Sequence, residues 1–199
     1  MKILATGCMH SDSRLANELA IRAKQENVDM VLVCGDLTMS NTSTEGLMGP
    51  FKKLGLNVAI IPGNHEPVAV ADFLAETYGV KNLHGDSLIK NNIGFFGCGA
   101  ANIGIHRLED QDAYYLFYKG FKNLREVHKK IMVSHVPPSG TLMEKLVPGS
   151  GSDAVRKAVE SFKPDFLFCS HLHEAEGIEE MIGTTKVINV GRKGTILDI

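Results

Sequence analysis

The chain is predicted to fold as an α/β protein, on two observations. Short apolar runs alternate with longer stretches of helical character from one end to the other. Several of those runs are apolar at every position, as strands buried on both faces are. Strands are expected at residues 3–6, 30–34, 58–61, 87–90, 94–98, 130–134, 166–169, 185–189 and 195–198. Helices are expected at 13–26, 43–54, 68–78, 112–128 and 151–162. In the first helix Leu15, Leu19 and Arg22-Ala23 fall on one stripe. Ser152-Asp153 supplies a cap for the last. Lys90-Asn91-Asn92-Ile93-Gly94 reads as a hairpin turn, because Asn and Gly tolerate positive φ.

Length and composition narrow the classes. The 199 residues suit one domain with a sizeable core, and 44% apolar with 22% charged residues is ordinary for a globular protein. A net charge of -2 gives no electrostatic ground for a nucleic-acid partner, whose phosphates demand Lys and Arg. No apolar run approaches the roughly 18 residues of a membrane span. The opening Met1-Lys2-Ile3-Leu4-Ala5 is too short for a signal segment. Cys8, Cys34, Cys98 and Cys169 are scattered, without a CxxC pair, so they suggest buried thiols in a reducing, cytoplasmic setting. Oligomeric state is left open.

One pattern recurs five times: an apolar run ends and a metal-competent side chain follows. Residues 3–7 lead to Cys8 and His10, 31–35 to Asp36, 59–63 to Asn64 and His65, 131–134 to His135, and 166–170 to His171 and His173. Ligands bind off the carboxyl ends of buried strands, so strands sharing a sheet edge would bring these side chains into one cleft. Gly7, Gly35 and Gly63 permit sharp exits and close backbone approach. Mixed nitrogen and oxygen donors suit zinc, iron or manganese. Alone, each residue has a plainer role: a hydrogen-bonded structural histidine, a turn-forming Asp36 or Asn64. The joint pattern argues otherwise, because five of the eight histidines sit at these exits. His84, His106 and His128 do not follow it and are read as surface or structural.

Cys8-Met9-His10, Gly35-Asp36, Gly63-Asn64-His65-Glu66, His135 and Ser170-His171-Leu172-His173 together resemble the calcineurin-like metallophosphoesterases, in particular their small prokaryotic phosphohydrolases. That family carries D-x-H, G-D, G-N-H-[DE], a lone His and G-H-x-H in this order. The resemblance implies a β-sandwich of two mixed sheets flanked by helices, in αββα layers. It implies two divalent metals (zinc, iron or manganese, with nickel a further option). One would be held by Cys8, His10, Asp36 and His173, the other by Asp36, Asn64, His135 and His171. Asp36 would bridge. Asn64 and His65 would face a small phosphoester substrate. The implied reaction is in-line attack on phosphorus by a hydroxide between the metals, with His65 assisting the leaving group. Monoesters and diesters both fit, with a lean toward diester or nucleotide-type substrates because His65 can help a poor alkoxide leave.

The departures carry expectations of their own. The family's first aspartate is Cys8 here, which is either a thiolate ligand favouring softer metals or an inert buried thiol. Asp12 is read as a helix cap rather than a substitute ligand. Ser170 replaces a glycine. Leu37-Thr38-Met39-Ser40 lacks an acidic-arginine pair. Asn189-Val190-Gly191-Arg192 stands where many relatives carry Asn-Pro-Gly; Arg192 either lies beside the cleft or, the preferred reading, is a solvated loop charge. Glu66 either orients His65 or is solvated. The alternative function is a non-catalytic metal-binding or scaffold module, against which stands the joint presence of Asp36, Asn64, His65, His135, His171 and His173. A redox sensor built on Cys8 is a third. Substrate choice is expected from the loops at 100–112 and 137–152.

Overall fold

The computed structural model describes residues 1–40, 42–99 and 101–199. Among these, strands and helices follow one another as β1 (Lys2–Thr6), α1 (Ser13–Gln25), β2 (Met30–Cys34), α2 (Gly49–Lys53), β3 (Val58–Ile61), α3 (Val68–Tyr78), β4 (Lys81–Asn82), β5 (Asp86–Lys90), β6 (Ile93–Cys98), α4 (Asp110–Phe121), β7 (Lys129–Ser134), α5 (Leu142–Leu146), α6 (Asp153–Phe162), β8 (Phe166–Cys169), a short 3-10 turn (His173–Ala175), β9 (Glu179–Ile182), β10 (Thr185–Asn189) and β11 (Thr195–Asp198).

These strands form two mixed sheets. The first runs β11-β1-β2-β3-β4, parallel except for β11; the second runs β5-β6-β7-β8-β10-β9, parallel except for its two edge strands. The period of two along each strand sorts its side chains. Ile3, Ala5, Leu32, Cys34, Ala59 and Ile61 face Phe95, Ile131, Val133, Phe168 and Ile188 in a layer between the sheets. The alternate residues Leu4, Val31, Val33 and Ile60 pack outward under α1, α2 and α3. Phe96, Met132, Leu167 and Val187 do the same under α4 and α6. This is why the central strands are apolar at every position, and it gives the αββα layering that the sequence implied.

Helix ends follow local chemistry. Asp12 caps α1, its Oδ1 accepting from Leu15 N at 3.0 Å, while Arg22 and Lys24 occupy the last turn, where cations oppose the helix dipole. Ser152 caps α6 through Val155 N. Asn91 and Asn92 both take left-handed backbone angles and form the two-residue turn between β5 and β6.

Some expected elements are corrected. The helix anticipated over 43–54 is confined to Gly49–Lys53: Gly46 turns at φ +73° before it, and Pro50, which has no N–H to give a preceding turn, sits in its first turn. The one expected over 112–128 lies at Asp110–Phe121 and stops just past Gly120. Four elements were not expected: two-residue β4, the acidic edge strand β9, five-residue α5 and the 3-10 turn at His173–Ala175. Of the loop expected at 100–112, Ala100 lies outside the described residues and 110–112 belong to α4. No helix among the described residues is long and apolar enough to cross a membrane.

Phe95 is wholly buried between the sheets, whereas Phe73 on α3 is exposed. Phe95→Ala is therefore expected to lower unfolding stability by about 3–5 kcal/mol. Phe73→Ala should change it by no more than about 0.5 kcal/mol. Denaturant midpoints at unchanged slope measure both.

Candidate metal centre

The parallel strands of both sheets deliver their carboxyl ends to one place. β1 leads to Cys8 and His10, β2 to Asp36 and β3 to Asn64; from the second sheet β7 leads to His135 and β8 to His171 and His173. Backbone bonds bolt the exits together. Cys8 N donates to Gly35 O at 2.9 Å, His10 N to Asp36 O at 3.0 Å, and Ser170 N to His135 O at 2.9 Å. The exits are strained. Cys8, His10, Ser11, Asp36 and His171 all hold φ between 48° and 67°, in the left-handed region that costs a non-glycine residue about 1 kcal/mol or more. Such a cluster persists only where the surroundings over-determine it. Gly63 is required by close approach, since a Cβ there would run into Asp36.

Asp36 sits at the middle with its side chain only 3% exposed. Its two oxygens face different partners. Oδ1 lies 3.3 Å from His135 Nε2, while Oδ2 lies 3.8 Å from His10 Nε2 and 3.9 Å from His65 Nε2. Ligand-type atoms of Asp36, His135 and His171 fall within 4.8 Å of one another, and so do those of Cys8, His10 and His173. Around His135 Nε2 crowd Asn64 Oδ1 at 3.0 Å and His171 Nδ1 at 3.2 Å as well as Asp36. His135 Nδ1 is 2.8 Å from Cys34 O, a contact only an N–H can make, so Nδ1 carries a proton and a neutral ring leaves Nε2 a lone pair. No single proton satisfies four such atoms. On the other side, His10 Nδ1 is buried with no partner among the described residues. This donor set fits divalent cations of the zinc, iron and manganese kind.

The electrostatics agree with a site built for positive charge. Burial works to raise the Asp36 pKa, but His135 and His65 override it and hold the carboxyl well below its ordinary range. Burial, then the neighbouring His135, pulls His171 down to about 4, so that ring is neutral at pH 7. Burial also lowers His10. Burial, with the Asp36 charge adding to it, pushes the Cys8 thiol up to about 12. A thiolate there calls for a cation beside it.

The model of the calcineurin-like phosphoesterase family matches residues 1–175. The chain belongs to this metal-dependent family. No curated protein matches the sequence. Among solved structures, a protein of Thermus thermophilus is similar at TM-score 0.79 and 18% identity, over 96% of this chain and 89% of that one. A dimetal phosphatase from Danio rerio is similar at 0.62 and 12%, over 97% and 88%. The phosphopantetheinyl hydrolase of Mycobacterium tuberculosis is similar at 0.60 and 12%, over 96% and 88%. At these identities the likeness is one of fold.

The eight residues assigned to metals or substrate in the family pattern lie in one linked cluster. Two of them lie toward its open side: His173 is exposed, and the His65 side chain is 37% exposed. Ser170, Glu66 and Arg192 also find definite roles. Ser170, in place of a glycine, keeps φ outside the left-handed region and donates to Cys34 O at 2.6 Å. Glu66 neither orients His65 nor meets solvent. It is 1% exposed and accepts from Leu37 N, Thr38 N and Gly63 N, tying the β2 exit to the β3 exit. Arg192 is not a free loop charge; its Nη2 pairs with Asp12 Oδ2 at 2.8 Å. Asn189 had no role assigned from sequence. It is fully buried, with Nδ2 donating to Leu172 O at 2.8 Å, and so fixes the turn that carries His171 and His173. His84 is structural as expected, accepting from Gly99 N.

Glu66→Ala strands three buried N–H donors. A loss of about 3 kcal/mol or more in unfolding stability is expected. A denaturant titration showing a change under about 0.5 kcal/mol would contradict this role.

Proposed function

We propose that the chain is a two-metal phosphoesterase that hydrolyses phosphomonoesters or phosphodiesters of small molecules. Family membership makes it a phosphoester hydrolase in broad terms. The observation that carries the finer reading is the pair of Asp36 oxygens, each turned to a different group of imidazoles. A carboxylate so placed serves two cations at once.

One cation would be held by Cys8, His10, Asp36 and His173, the other by Asp36, Asn64, His135 and His171. When bound, the two cations lower the pKa of water and neutralise charge on phosphoryl oxygens. The protein's own contributions are distinct from that. Cys34 O holds His135 in the tautomer that frees Nε2. Asp36, low in pKa, stays ionised across the working range. Asn64 keeps its amide at the rim of the second group, with Gly104 of the loop at 101–109 packed against it. His65 lies at the open side of Asp36, its ring edge-on to His10, where Nε2 can give a proton to a departing alkoxide. Four buried free cysteines fit a reducing, cytoplasmic location.

The reading is tested by removing metal with a chelator, restoring zinc, manganese, iron or nickel, and following release of 4-nitrophenol from its phosphate monoester and diester. Hydrolysis restored by at least one metal is expected. Metal uptake without hydrolysis of either ester would instead favour a non-catalytic binding module. His65→Ala is expected to keep metal content and melting temperature while turnover falls by roughly 100-fold or more. Undiminished turnover in that variant would refute the proton-donor role.

A further inference from the structure

Arg192 follows β10 in a loop that is fastened to the metal centre from both sides. Gly7 N donates to Gly191 O at 3.0 Å and Thr6 Oγ1 donates to Arg192 O at 3.0 Å, so the loop lies along the β1 exit, immediately before Cys8. Arg192 N donates to Glu176 Oε2 at 3.3 Å. The side chain is fixed as well. Nη2 sits 2.8 Å from Asp12 Oδ2 and 3.5 Å from the carbonyl of Met9, the residue between Cys8 and His10.

This anchoring leaves donors to spare. Asp12 spends one oxygen on capping α1 and the other on a single Nη2 contact. Nε is buried without a partner among the described residues. With the Arg192 side chain 41% exposed, the Nη1 end has solvent access. A guanidinium held beside the β1 exit by one carboxylate, with further N–H groups unspent, suits a phosphoryl oxygen better than a point charge would.

We infer that Arg192 is a substrate-binding residue that takes the third terminal oxygen of a phosphomonoester. The inference rests on the phosphoesterase reading above and narrows its substrate class. A monoester dianion has three terminal oxygens, and two cations account for two of them. A diester has only two, its third position being an uncharged ester oxygen that gives a guanidinium little to bind. Arg192 therefore biases the site toward monoesters without excluding diesters.

Two variants separate this from a purely structural bolt. Arg192→Gln keeps a polar, hydrogen-bonding side chain and removes the charge. Asp12→Asn keeps the helix cap, for which Asn serves as well as Asp, and releases the guanidinium from its ion pair. Binding of inorganic phosphate to the metal-loaded protein is measured by calorimetry, together with kcat/KM for 4-nitrophenyl phosphate and for bis(4-nitrophenyl) phosphate. Arg192→Gln is expected to weaken phosphate binding at least tenfold and to cut kcat/KM for the monoester at least tenfold more than for the diester. Asp12→Asn is expected to bind phosphate as tightly as wild type or more so. Equal losses on both esters, unchanged phosphate affinity in Arg192→Gln, or matching losses in the two variants would overturn the assignment and leave the pair a structural one. Wild-type protein that takes up metal but neither binds phosphate nor hydrolyses either ester would overturn the phosphoesterase reading, and this inference with it.

Discussion

Everything in this molecule depends on two sheets packed face to face with the carboxyl ends of their parallel strands at a common edge. The layer of Ile3, Leu32, Ile61, Phe95, Ile131 and Phe168 between them sets the distance from the β2 exit to the β7 exit. That distance lets His135 Nδ1 reach Cys34 O and places His135 Nε2 beside Asp36. Neither sheet alone supplies the site. The first brings one carboxylate, one amide, one thiol and two imidazoles, the second three imidazoles, and the Asp36 carboxylate meets groups from both.

Bringing so many polar groups into a buried edge has a cost that the surrounding structure offsets. Five neighbouring non-glycine residues are held in left-handed backbone conformations, and Asp36 and His135 are nearly or wholly removed from water. Glu66 and Asn189 oppose this from beneath. The first gathers the N–H groups of two strand exits, the second fixes the turn between His171 and His173. Both are buried polar residues that bond mainly to backbone, and they hold the strand exits in place. Cys8 shows the opposite balance. Its thiol is disfavoured as an anion by burial and by Asp36, so a cation beside it would decide its charge.

Much of this was legible in the sequence, for definite reasons. Strands buried on both faces leave continuous apolar runs, so β1, β2, β3, β7, β8 and β10 stood out, and the metal-competent residues stood out because each follows such a run. The Asn91-Asn92 turn and the Asp12 and Ser152 caps are local chemistry that few residues suffice to specify. What escaped was set by distant partners. Edge strand β9 is acidic and is a strand because β10 pairs with it. Glu66 looks like an ordinary charged residue until Leu37 and Thr38 close over it. Arg192 and Asp12 are 180 residues apart, and no spacing rule connects them. The helix anticipated over 43–54 is shortened to Gly49–Lys53 by the left-handed turn at Gly46 and by Pro50, which fits only a helix's first turn.

Asp36 is proposed to serve two cations at once. The most direct measurement is the metal content of wild-type protein and of Asp36→Asn, by elemental analysis after equilibration with zinc or manganese and removal of free metal. About two equivalents per chain are expected in the wild type and the loss of at least one in the variant, since the amide brings no charge to share. Equal metal content in the two proteins, or a wild type that retains none, would contradict the bridging role.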